Sequence, residues 1–168
     1  AVIKQSNKIL YEYIKNLTGN DNLRLEDVIK YNDTDSSYIS IKSINDHFNQ
    51  PLCENGKVAE TTYKTVQDIE KHLNKEITSW ASRTLNSHDP RFVFKRECIA
   101  DVGMFLEKKR YVLHVLDDEG IPVNKFKYTG VEVVRTTLPE PVKPYIKKII
   151  ETMMIGQNLG ETNKILNE

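Results

Sequence analysis

Cysteine is nearly missing from this chain. Cys53 and Cys98 are the only two in 168 residues, and neither sits in a C-x-x-C or beside a histidine at metal-ligand spacing. That excludes a disulfide-stapled scaffold and a zinc module, and it suits a reducing, cytoplasmic compartment. Long apolar runs are missing too: none approaches the roughly 20 residues that a bilayer span requires. No segment has the layout of a signal peptide, so the sequons at Asn16 and Asn32 carry no implication of secretion. An excess of either charge is also lacking, since Lys plus Arg and Asp plus Glu both count 24, which argues against a general polyanion binder. Repeats and low-complexity tracts do not occur. What is present is ordinary globular material, 39% hydrophobic and 29% charged, enough for one modest core and a prior of one domain.

The overall neutrality hides an asymmetry. Residues 1–90 carry 11 basic and 13 acidic side chains, whereas residues 91–150 carry 12 basic and 8 acidic ones. Residues 1–17 place Ile3, Leu10, Tyr13, Ile14 and Leu17 at helical spacing before a stop at Thr18-Gly19-Asn20-Asp21. Residues 25–31 and 37–44 read as two short β segments joined by the turn DTDS. Residues 58–85 set Val66, Ile69, Leu73, Ile77 and Trp80 on one face of a long amphipathic helix. Residues 91–99 are β-prone, and 111–116 pairs with 123–128 across Asp117-Asp118-Glu119-Gly120, a second hairpin. Lys95-Arg96 and Lys108-Lys109-Arg110 are expected inside strands. Residues 138–154 place Val142, Ile146, Ile149 and Met153 at helical spacing behind Pro139, Pro141 and Pro144. This order predicts an α+β fold on an antiparallel sheet.

The chemistry concentrates in YNDTDSSY, residues 31–38. On an extended strand residues two apart share a face, so Asp33 and Asp35 would bring like charges together unless a cation lies between them. Mg2+ takes carboxylate oxygens together with substrate phosphates, which makes it the natural ion. The plainer alternative is a solvated turn in which both carboxylates bond local backbone N–H groups. The basic run KKRY admits the same two readings, a phosphate-contacting strand or an ordinary solvated edge. His47, His72, His88 and His114 have no catalytic company and are expected at the surface or partly buried; Trp80 is expected in the core.

Y-x-D-T-D-S between two β segments, after a helix, resembles motif C of the family B DNA polymerases. Lys109-Arg110-Tyr111 resembles that family's K-x-Y element. The longer runs FVFKRECIAD, KKRYVLHVLDDEG and KYTGVEVVRTTLPEPVK resemble the polymerases of T-even-like phages and their cyanophage relatives. The resemblance implies that Asp35 is a metal ligand and Asp33 its auxiliary acid, in two-metal phosphoryl transfer from deoxynucleoside triphosphates to a primer 3′-hydroxyl. It implies contacts to primer–template DNA from Lys109 and Tyr111, which would share a strand face, with Lys108, Arg110 and Arg135 beside them. Lys143, Lys147 and Lys148 read equally as duplex contacts or as a solvated helix face.

Glu97 and Glu119 fall where phage relatives carry acids near the palm site, and serve either a further ion or plain surface solubility. Thr34 is a candidate nucleotide contact, though with Ser36 and Tyr31 it reads better as a hairpin-shaping residue. The implied architecture is a palm-type sheet with its motif C hairpin packed on helices: residues 1–136 are the second half of the palm and 137–168 the start of the thumb. Motif A, motif B, the fingers and an exonuclease are not in the sequence. Together with the initial Ala1 and a helix-like start at Glu161 that is not completed, this leads to the expectation of a polymerase piece. It would be inactive alone and would work with the remainder in cis or as a split subunit, in the bacterial host cytoplasm if phage-encoded. The other class is a non-catalytic DNA-binding or interaction subunit.

Overall fold

The spacing of apolar residues in the first half builds two long helices, α1 (Val2–Thr18) and α4 (Glu60–Thr84). Ile9, Leu10 and Ile14 of α1 meet Ile69, Leu73 and Ile77 of α4 in a buried cluster that Leu23, Val28 and Ile44 complete. Each such side chain contributes about 1.5–3 kcal/mol on leaving water, so this cluster outweighs every surface ion pair nearby. The computed structural model describes residues 2–86, 93–134 and 139–156. Within it the chain forms two compact units, residues 1–97 and 98–168.

In the first unit, the segments between α1 and α4 are α2 (Leu25–Val28), β1 (Ile29–Asn32), β2 (Ser37–Ile39), α3 (Lys42–Phe48) and the short pair β3 (Cys53–Glu54) and β4 (Lys57–Val58). The β segment expected over 25–31 is corrected: its first half is a helical turn. An Asp27 carboxylate oxygen accepts the Arg24 backbone N–H at 3.0 Å and closes that turn. The strand expected over 37–44 ends at Ile39, because Ile44 is drawn into the helical cluster at 1% exposure and α3 forms around it. Residues 93–97 follow α4 without strand pairing. Asn74 holds them instead, its amide accepting from Phe94 N at 2.7 Å and donating to Phe94 O at 2.8 Å, while Glu70 accepts from Arg96 N at 2.9 Å. Lys95-Arg96 is therefore not in a strand; residues 91 and 92 lie outside the described residues.

The second unit is an antiparallel meander of β5 (Cys98–Glu107), β6 (Arg110–Asp118) and β7 (Ile121–Thr129), in the order β5-β6-β7. The middle strand is buried from Tyr111 through Asp117. The helix α5 (Lys143–Met154), with Pro144 in its first turn, packs Ile146, Ile150 and Met154 onto Val102, Met104, Val112, Phe126 and Tyr128. The face expected from Val142, Ile146, Ile149 and Met153 is thus rotated: Val142 is 40% and Met153 59% exposed. The chain is α+β. The palm–thumb boundary expected at 136/137 lies outside the described residues, as does the helix start expected at Glu161.

One contact ties α5 to the sheet with a titratable group. The Tyr128 hydroxyl donates to Glu151 Oε1 at 2.5 Å. Burial, the hydrogen bond and the Glu151 charge all push the phenol above its ordinary value of 10.0. The folded state therefore keeps a proton that the unfolded chain releases, so this contribution is complete below about pH 10 and is lost as pH rises beyond it. The urea midpoint of the wild type is expected to fall more steeply from pH 9 to 11 than that of Tyr128→Phe. Parallel slopes would show that the phenol does not participate.

Candidate functional site

The acidic stretch forms the tip of a tight hairpin. β1 and β2 pair through Tyr31↔Tyr38 and Asn32↔Ser37, with an irregularity between Ile29 and Tyr31, and Asp33 N–H donates to Ser36 O at 2.9 Å to close the loop. Asp33 Oδ1 accepts the Thr34 N–H at 2.8 Å and the Thr34 hydroxyl at 3.3 Å. Both carboxylates thus sit in the loop, not on one face of a strand as the i, i+2 spacing suggested. Asp33 is half-buried and shaped by local bonds, as in the turn reading; Asp35 is exposed at the apex. The Tyr31 and Tyr38 rings lie 5.6 Å apart on the stem, tilted at 50° to each other. Thr34, also exposed, takes the hairpin-shaping role.

The donors fit a hard divalent cation in kind, because Asp33 and Asp35 offer carboxylate oxygens beside an open face. They fall short in number. Among the described residues no three His, Cys, Asp or Glu side chains come together as a metal-holding group.

The basic run lies in the second unit. Glu107 pairs with Arg110, so Lys108 and Lys109 are the two-residue turn between β5 and β6, and Lys109 has φ 62. The expectation that Lys109 and Tyr111 share a strand face is therefore corrected. Lys108 and Lys109 are exposed on the turn, whereas Tyr111 is 8% exposed within β6 with its ring 5.8 Å from Phe105. Arg110 Nη1 lies 3.2 Å from Glu107 Oε2. Arg135 is outside the described residues.

Gly130, just past β7, fits under this turn at φ +61, where an added Cβ would stand 2.0 Å from Lys109 O. Of the helix lysines, Lys143 pairs with Glu140 and Lys147 lies 5.4 Å from the centre of the Tyr128 ring; Lys148 is exposed. Glu97 is exposed just before β5. Glu119, at φ 52, is exposed in the β6–β7 turn, at the opposite end of the sheet from Lys109.

Two polar residues of β6 are more buried than the sequence reading expected, which put His114 at the surface or partly buried and Asp117 in a turn. His114 is 8% exposed; its Nδ1 lies 2.7 Å from Asp101 Oδ1 on β5 and its Nε2 2.8 Å from Asn124 Oδ1 on β7. An imidazole beside a carboxylate is a general-base arrangement only if its second nitrogen reaches substrate. Here Asn124 occupies that nitrogen, and the trio acts as a clasp across three strands. Asp117, fully buried, accepts the Gly120 N–H at 3.1 Å and shapes the second turn. The signal for both was a polar side chain inside the apolar run YVLHVLDD.

No protein-family model matches this chain, and no curated protein matches it.

Proposed function

We propose that this chain supplies part of the palm of a family B DNA polymerase, with Asp35 as the metal ligand and Asp33 as its support. The observation that carries the reading is the hairpin tip: an exposed Asp35 next to an Asp33 that the loop already holds. The resemblance of YNDTDSSY and KKRY to that family supplies the rest. Mg2+, when bound, would neutralise the phosphate charge and activate the primer 3′-hydroxyl. The chain's own task is narrower. The loop holds the Asp33 carboxylate in place before binding, since its Oδ1 accepts from Thr34 and its backbone N–H donates to Ser36 O. The exposed Lys108 and Lys109 offer phosphate contacts that are indifferent to base sequence, as a copying enzyme requires.

The acid that completes the site belongs to sequence outside this chain, so primer–template DNA, deoxynucleoside triphosphates and the remaining polymerase segments are its partners. The purified chain with Mg2+ is expected not to extend a primer, and to support templated extension once joined to, or mixed with, the polypeptide bearing motifs A and B. Extension by the chain alone would contradict the first expectation. The second reading, a non-catalytic DNA-binding or interaction subunit, is favoured by the basic turn. Duplex binding by the joined protein without any extension would decide for it.

A further inference from the structure

The acidic loop is tied to α1 by side chains that the motif does not include. The Ser37 hydroxyl, at the first residue of β2, lies 2.8 Å from Asn32 Oδ1 and 3.1 Å from Asn7 Oδ1. Asn32 and Ser37 face each other across the hairpin, immediately before and after the loop 33–36. Asn7 stands in the first half of α1, and all three residues are half-buried. A hydroxyl has one proton and two lone pairs, so it satisfies both amides best by accepting from one and donating to the other. The oxygen and nitrogen of each amide are assigned from such networks, and turning the Asn7 amide over gives the chain Asn7 Nδ2–H to Ser37 Oγ–H to Asn32 Oδ1, which uses the one hydroxyl proton once.

We infer that Asn7, Ser37 and Asn32 form a polar latch that holds the loop bearing Asp33 and Asp35 in place on α1, and that they are positioning residues for those acids. The role as positioning residues rests on the polymerase reading; the latch itself does not. The hairpin needs such a tie. β2 has only three residues, and beyond the Asn32↔Ser37 pair one backbone bond, Asp33 N–H to Ser36 O, closes the loop, so a tip with no further tie would open readily. Loss of one hydrogen bond in a half-buried network weakens a local structure by a factor of about 5–10.

Hydrogen exchange of the Asp33 amide in this 168-residue chain tests the latch. Ser37→Ala and Asn7→Ala are each expected to speed that exchange about fivefold to tenfold, while the Ile77 amide in α4 is unchanged. Ser37→Thr, which keeps the hydroxyl and suits a strand, is expected to restore the wild-type rate. Equal Asp33 rates in all four proteins would overturn the latch. In the extension-competent joined protein, Ser37→Ala is expected to raise the half-saturating Mg2+ concentration about fivefold without altering the KM for primer–template. Faster exchange with an unchanged Mg2+ dependence would overturn the positioning role. A wild-type joined protein that extends no primer would overturn the polymerase reading, and the exchange rates would still decide the latch.

Discussion

Asp35→Asn, placed in the protein that also carries motifs A and B, is expected to lower templated primer extension by roughly 10³-fold, the size of effect seen when a preorganised charge-stabilising group is removed from a reaction centre. The substitution keeps the size and shape of the side chain and removes its charge. Because Asp35 is exposed at the loop apex, the fold has nothing to lose with it. Denaturation midpoints and duplex affinity should therefore stay at their wild-type values. Asp33→Asn should cost less, roughly tenfold, since Asp33 acts through the loop: its Oδ1 holds Thr34, and an amide oxygen can still accept both of those bonds. Single-turnover extension over a range of Mg2+ concentrations measures both. Synthesis that survives Asp35→Asn unchanged would remove the assignment.

The second large effect is structural and lies in the other unit. Gly130→Ala is expected to destabilise the chain by about 3 kcal/mol or more, at the upper end of single substitutions, where a specific structural cause is required. Two costs add at this position. A side chain at φ +61 pays about 1–2 kcal/mol in the left-handed region. The new Cβ then meets the Lys109 carbonyl oxygen at 2.0 Å, a backbone atom that no rotamer change can move. Gly19→Ala separates the two costs, because Gly19 has φ +60 with nothing within 4 Å of the added carbon. That variant should lose only about 1 kcal/mol. Urea unfolding of the two variants against wild type makes the comparison. If Lys109 contacts phosphate as proposed, the clash that displaces it should also weaken duplex binding by the joined protein and flatten its salt dependence, whereas Gly19→Ala should do neither. Equal destabilisation by the two substitutions would mean that the β5–β6 turn yields without cost.

Several elements could be read directly from residue order. The helical period of Leu10 and Ile14 in α1 and of Ile69, Leu73 and Ile77 in α4 marks the side chains that are buried. The DTDS turn and the turn at Glu119-Gly120 close hairpins where polar and glycine residues interrupt apolar runs. These are signals of short range, carried by neighbours three or four positions apart or by the turn residues themselves. Ile41 and Ile44 misled for the same reason. Locally they are β-branched and strand-like, yet Ile44 is 1% exposed against α1 and α4, and that burial outweighs propensity. β5 was hard to see because its pairing shifts at Ile99/Ala100 and again at Ala100/Val102, which breaks the alternation that announces a strand.

At the candidate site the same division holds. Residue order by itself determined that two acids share a turn and that a basic run precedes Tyr111. Tertiary structure decided that Asp35 stands free of the fold while Asp33 is part of it. It also decided that Lys109 turns a corner instead of lining a strand, that Tyr111 is buried, and that Asn7 reaches Ser37 across 30 positions of sequence. The reason is one of range. Turn chemistry and helical period act between residues a few positions apart. The partner of a hydroxyl, the carbonyl above a glycine and the exposure of a carboxylate are set by segments that only folding brings together.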